Sequence, residues 1–264
     1  MQPSQPLPGS PAITGAVPMY SRPEPLNPQA HGDLGMVSSD APFAFAFATN
    51  AVPLQVTEFG PASLNFPVIF AGTERTPLAI LSIRPNENLF VTEGRFDPEV
   101  YIPAFIRRYP FVVASSPDDE RVLVCIDVDA HFIKKGGGDV KLFENGEPTE
   151  YTKNAIQFCE NFEVERQRTD SFVQVLKDLD LLVERKQTIR PANADGTPGE
   201  EIELSDYFAV DEERLKALPA DKLVQLRDTG ALQQIYAHLN SLLNWDRLVT
   251  RTLVRFPQEV AANA

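Results

Sequence analysis

The chain has 264 residues, with 24 Lys plus Arg against 37 Asp plus Glu, a formal net charge of −13, and 23 prolines. Hydrophobic residues make up 43%, enough to build a core, so global disorder is excluded. The acidic balance excludes nucleic acid as the main partner, because phosphate neutralisation needs clustered Lys and Arg, and it disfavours docking on an anionic membrane.

Residues 1–30 contain eight of the prolines, Pro3 to Pro28, with few large apolar residues between them. Residues 1–40 are predicted to be a Pro-rich disordered tail, extended and polyproline-like. The opening Met1-Gln2-Pro3-Ser4 has no basic region followed by an apolar one, so no Sec-type signal is expected. Cys125 and Cys159 sit among apolar neighbours and read as reduced thiols. No run reaches the ~18 apolar residues of a membrane span. These features predict a cytoplasmic protein with no membrane insertion.

Ordered structure is expected from about Phe43, where Phe43-Ala44-Phe45-Ala46-Phe47 alternates at the period of a strand. Glu58 to Phe66 reads as a short helix with Pro61 tolerated in its first turn. Pro67 to Ala71 and Leu78 to Ile83 read as a buried hairpin, and Asn88 to Val91 either extends its second strand or starts a third. Tyr101 to Tyr109 has apolar residues at helical spacing and stops at Pro110. Phe111 to Ala114 is a strand. Arg121 to Phe132 is the clearest strand, with Val122, Val124, Ile126, Val128 and Ala130 on one face and Asp127, Asp129 and His131 toward the end of the other. Gly136 to Asp139 is a turn, and Asn145-Gly146 is a hairpin signal.

Tyr151 to Lys186 is predicted to form two helices divided by the charge-rich Glu163 to Asp170, with Thr169 or Asp170 capping the second. Residues 191–200 read as an exposed loop, Glu201 to Leu204 as a short strand, and Tyr207 to Val210 as another. The last sixty residues read as three helices: the first capped by Asp211, the second capped by Asp221 and ended by Gly230, the third running through Leu232, Leu239 and Leu253. The predicted architecture is α+β, a mainly antiparallel sheet in the N-terminal two-thirds covered by helices from the C-terminal part. Residues 41–258 are expected to be one domain, and 259–264 a disordered end.

Several phrases then stand out together. They are Glu58-Phe59 ahead of Pro67-Val68-Ile69-Phe70; Asn86-Glu87-Asn88-Leu89-Phe90-Val91; the run from Tyr101 to Phe111, which reads Tyr-Ile-Pro-Ala-Phe-Ile-Arg-Arg-Tyr-Pro-Phe; Cys125-Ile126-Asp127; Leu142-Phe143 near Asn145-Gly146; Thr169 ahead of Phe172 and Leu176; and Gly230 to Leu242 with Ile235-Tyr236-Ala237-His238-Leu239. In this order and spacing the chain resembles the bacterial SapC family over roughly residues 40–255. The resemblance implies a link to surface-layer or outer-membrane receptor systems. It carries over no catalytic residue.

No nucleophile elbow, zinc-protease helix, phosphate loop or dinucleotide fingerprint is present in the sequence. Two constellations remain. Asp129 and His131 with His238 would make an economical Fe(II) site for an oxygenase-like modifying enzyme. Arg107 and Arg108 with Asn88 or Tyr101 would clamp an anion or carboxylate, against the alternative, favoured here, that one buried Arg pairs with Glu58, Asp127 or another acid and the other lies on the surface. Glu58 is a further candidate, as a carboxylate with a raised pKa if buried. His238 and Trp245, seven residues apart on one predicted helix, could flank a partner groove. The favoured reading is a non-catalytic protein- or peptide-binding module with no cofactor, the metal-dependent enzyme being the alternative.

Overall fold

The computed structural model describes residues 19–116, 119–189 and 202–256. The expected tail up to residue 18, the loop 191–200 and the end 259–264 lie outside the described residues. In chain order the elements are β1 (Pro23–Pro25), α1 (Pro28–His31), β2 (Leu34–Met36), β3 (Ala51–Pro53), α2 (Phe59–Ala62), β4 (Val68–Ala71), β5 (Thr76–Ile80), β6 (Val91–Thr92), β7 (Arg95–Phe96) and α3 (Ala104–Arg107). They continue with β8 (Phe111–Ser116), β9 (Asp119–Asp127), β10 (Ile133–Lys135), β11 (Val140–Lys141), β12 (Phe143–Glu144), β13 (Glu147–Pro148) and α4 (Glu150–Asp178). The last part holds β14 (Leu182–Ile189), β15 (Ile202–Val210), α5 (Glu212–Lys216), α6 (Ala220–Asp228), α7 (Ala231–Ser241) and α8 (Asn244–Arg255). Every paired strand runs antiparallel, and the class is α+β as expected.

The expected single domain divides into two compact units, residues 1–45 with 108–164 and residues 46–107 with 165–264. In the first unit, β1, β9 and β8 form one sheet and β10, β2 and β11 another. Its core gathers Leu34, Phe111, Ile126, Leu142, Phe143 and Cys159. Order here begins well before Phe43, which corrects the expected tail. The prolines themselves explain how. β1 is an edge strand with Glu24 registered against Ile126 of β9, and the pairing continues past its ends through Val128 N–H to Arg22 O at 3.2 Å and Leu26 N–H to Val124 O at 2.9 Å. Pro23 and Pro25 fall on the alternate positions, where the missing N–H would face solvent. Asn27 then caps α1, accepting from Ala30 N at 2.8 Å, with Pro28 at the first helical position.

The second unit is built on a five-stranded sheet in the order β14-β15-β4-β5-β3. The hairpin expected between Pro67 and Ile83 is β4 and β5. β15 is one continuous strand where two short ones were expected, and it pairs with β4 through Phe208 and Phe70. The aromatic run at Phe43 forms a 3-10 turn over Ala44–Ala46 instead of a strand. Five alternating residues do not fix a period when the tertiary contacts favour burying Ala46 and leaving Phe47 exposed.

α4 is a single helix of 29 residues, not two. Its charged middle is a solvated face carrying an Arg166–Asp170 pair at 2.6 Å. Thr169 is therefore no cap. It is buried inside the helix, where its hydroxyl accepts from Val56 N at 2.9 Å and sits 2.7 Å from Glu165 O and 2.9 Å from Gln55 Oε1. α4 stops at Asp178, and the residues expected to continue it begin β14, after Asp180 turns the chain with a φ of 51°. Asp211 caps α5 as expected, accepting from Arg214 N at 3.0 Å. Pro219, not Asp221, stands at the cap of α6. The expected third helix is broken at Leu242-Leu243 into α7 and α8, where the Asn244 side chain turns inward and its two N–H groups lie among the carbonyls of Ser63 at 2.7 Å, Ser241 at 3.0 Å and Phe66 at 3.2 Å.

Thr169 tests this arrangement. Thr169→Val keeps the shape but leaves the Val56 N–H without its acceptor, so the urea midpoint is expected to fall by the equivalent of about 1–3 kcal/mol.

Candidate functional site

Glu58 ends a 3-10 turn, Val56–Glu58, and is only 6% exposed. Its Oε2 accepts from the backbone N–H of Gln55 at 3.0 Å, and its Oε1 accepts from Tyr101 OH at 2.7 Å and Ala104 N at 2.6 Å. Arg107 Nη2 lies 4.0 Å from Oε1 and donates to the Tyr101 hydroxyl at 3.3 Å. The carboxylate thus holds the first amide of α3 and the start of its own turn together, a helix N-terminus favouring a negative charge. Burial and the adjoining Glu58 charge push the Tyr101 hydroxyl up to about 12.

The two arginines serve different purposes. Arg107 is 43% exposed at its side chain and faces Glu58 and Tyr101. Arg108 is buried, its guanidinium 4.4 Å from the Phe162 ring and 5.9 Å from the Tyr20 ring. The expected pairing of a buried Arg with Glu58 is corrected: it is the half-exposed Arg107 that faces this acid. Asn88 does not join them. It is fully buried, with Nδ2 donating to Ala46 O and Oδ1 accepting from Phe90 N. Beside it Glu87, which the sequence reading did not single out, sits 3.7 Å from Arg255 and 3.9 Å from Arg84.

Asp127 plays the matching part in the first unit. It is fully buried and accepts from Ser21 N and Arg22 N, each at 2.9 Å, and from Tyr109 OH and Asp129 N, each at 3.3 Å. Burial, reinforced by the Asp127 charge, raises the Tyr109 hydroxyl. β9 ends at Asp127, and residues 128–129 form a turn. Asp129 and His131 therefore do not share a strand face with Asp127, contrary to the expected geometry. Asp129 pairs on the surface with Arg22 at 3.0 Å, and His131 is exposed with its ring against Phe132.

His238 is fully buried on α7 with both ring nitrogens in use. Nδ1 donates to Val68 O at 2.8 Å and Nε2 accepts from Val210 N at 3.0 Å, which fixes the neutral tautomer and stitches β4 and β15 to the helix. No nitrogen remains for a metal, so the Asp129, His131 and His238 constellation is not assembled. Among the described residues no group of three or more His, Cys, Asp or Glu is placed to hold a metal ion. Trp245 is likewise core, 5% exposed and 5.8 Å from the Tyr207 ring. His238 and Trp245 therefore present no partner-facing surface.

A different feature opens to solvent in the second unit. A cavity of about 350 Å³ has Val56, Phe172, Val175 and Leu226 among its walls, with Arg168 and Gln234 lining it as well. No motif in the sequence marked it, because its walls come from the 3-10 turn, the middle of α4, and the junction of α6 with α7. Phe172 and the Gly230 turn signal lay on it without marking a site, and that glycine adopts a φ of 76° to start α7. No helix among the described residues is long and apolar enough to cross a membrane.

Two substitutions separate anchoring from surface pairing. Glu58→Gln is expected to cost about 2–4 kcal/mol in equilibrium denaturation, because it sets an amide donor against buried donors. Arg107→Gln, which removes a half-exposed pair, is expected to cost less than about 1 kcal/mol. His238 supplies a pH signature. Burial holds its imidazole down at about 4, against 6.5 for a free group. Between those values the unfolded chain binds a proton that the fold refuses. Stability therefore falls as pH falls through that window, by at most roughly 1.4 kcal/mol per pH unit. In His238→Gln the slope between pH 6.5 and pH 4 is expected to flatten relative to wild type, read by urea titrations across that range.

No curated protein and no solved structure matches the chain. The SapC family model matches residues 26–248, which takes in β1's neighbour Leu26, both carboxylate anchors, the cavity and α7. The chain belongs to the SapC family.

Proposed function

We propose that this SapC-family chain is a non-catalytic protein- or peptide-binding accessory protein, working in the cytoplasm and linked to bacterial surface-layer or outer-membrane receptor systems. One observation carries the binding role. Glu58, Asp127 and His238, among the side chains best suited to move a proton, are committed to holding backbone groups, while an apolar cavity with one cation at its edge lies open. General acid–base chemistry needs a group within reach of a substrate proton, and these three reach only the fold. Recognition needs apolar walls and a few placed polar groups, which the cavity supplies. The link to envelope systems rests on the family name.

Affinity capture with the full chain, at low and at moderate salt, tests the role. A stoichiometric complex that survives moderate salt and re-forms from purified components is the expected result. A chain that stays a solitary monomer under both conditions would overturn the proposal.

A further inference from the structure

Four half-buried aromatic residues stand together in the first unit: Tyr20, Phe43, Phe45 and Tyr109. Phe45 stacks on Tyr109, with ring centroids 3.8 Å apart and planes 19° from parallel. Tyr20 lies 5.1 Å from Tyr109, and Phe43 lies 6.2 Å from Phe45. Buried Phe132 meets Phe45 and Tyr109 edge-on, at 6.5 and 5.6 Å. Both hydroxyls are anchored, Tyr20 OH to Phe111 O at 2.7 Å and Tyr109 OH to Asp127 Oδ2 at 3.3 Å. The rings are therefore held in place while part of each residue meets solvent. Fixed, partly open aromatic rings are the kind of surface on which a polyproline II segment packs.

The chain outside the described residues supplies such a segment, and it joins the described part at this cluster. The described residues begin at Met19, next to Tyr20. Met19 has a φ of 75° in a turn, so the backbone does not run on extended from β1 at this point. A residue with a side chain holds that left-handed conformation only where its surroundings over-determine it. Residues 1–18 contain Pro3-Ser4-Gln5-Pro6 and Pro8-Gly9-Ser10-Pro11. At three residues per turn, each pair of prolines shares one face of a polyproline II helix. Residues 1–18 carry no acidic or basic side chain, in a chain of net charge −13, so no side-chain charge is desolvated when they pack on rings. Pro11 precedes Tyr20 by nine residues, about 28 Å when extended as polyproline II, so the prolines can reach each of the four rings.

We propose that the aromatic face of Tyr20, Phe43, Phe45 and Tyr109 is the docking site for this chain's own residues 1–18, bound within the same molecule as a polyproline II segment. The proline rings pack on Phe43, Phe45 and Tyr109, and Tyr20 is where the segment is tethered. A short tether gives the segment an effective concentration on the order of millimolar, so a weak contact suffices and an outside Pro-rich segment has to displace it. The site shares no residue with the cavity and does not depend on the partner reading above.

The test is made on the full chain. One variant carries Pro3→Ser, Pro6→Ser, Pro8→Ser and Pro11→Ser together, which leaves every described residue unchanged. A fluorescein-labelled peptide of residues 2–17 is titrated by anisotropy into wild type and into this variant. The variant is expected to saturate, and wild type to bind about tenfold or more weakly, because its own segment competes at high effective concentration. Adding Phe45→Ser to the variant is expected to abolish peptide binding. If that protein fails to fold, Phe43→Ser takes its place, and the comparison of wild type with the four-proline variant needs neither change. Equal binding by wild type and variant overturns the proposal, because the face would then be open in the intact chain. A variant that does not saturate overturns it as well, and so does binding that survives the phenylalanine substitution in a folded protein. A wild type that sediments as a dimer and becomes a monomer on the four proline changes puts the segment on a second copy, which overturns docking within one molecule.

Discussion

A carboxylate taken out of water must find donors, and the burial of Glu58 depends on that requirement. Four groups surround it: the Gln55 and Ala104 amides, the Tyr101 hydroxyl and, at longer range, the Arg107 guanidinium. Two of these belong to backbone that has no other ready partner, at the start of a 3-10 turn and the start of α3. Short elements of three or four residues have little stability of their own. The carboxylate joins them into one object and so sets where the Tyr101 to Arg107 phrase lies.

Asp127 solves the same problem in the first unit with a different result. Its donors include two successive amides, Ser21 and Arg22, that enter the edge strand β1. The acid therefore orders a Pro-rich approach that has little capacity to order itself. β9 ends at the same residue, and Asp129 and His131 lie beyond it, exposed to solvent. Each of the two acids is a polar fastening within its own unit, and His238 fastens the second unit from the C-terminal helices.

Where local rules suffice, the elements were legible. The β4–β5 hairpin showed in its paired apolar runs, β8 in its short apolar run beside Pro110, and the β12–β13 hairpin in Asn145-Gly146, whose φ values of 54° and 82° are those the turn demands. The Asp211 cap and the left-handed Gly230 were equally plain. Where a distant group decides, the local signal misled. Charge density suggested a break in α4, yet Thr169 is satisfied from Val56 across 113 positions of sequence and the helix continues. Helical spacing joined His238 to Trp245, yet Asn244 turns inward and breaks the run.

The sequence by itself determined the α+β class, the acidic surface, the short turns and the family, because these follow from composition, period and steric preference within a few residues. It also contained every residue of both carboxylate anchors, among them Glu58, Tyr101, Arg107 and Asp127. Only the tertiary structure decided what those residues are for. Whether a buried acid or imidazole is a reagent or a fastening depends on which distant N–H and C=O groups reach it, and no spacing along a chain encodes that. The cavity around Arg168 and Gln234 is of the same kind: its walls meet only in three dimensions.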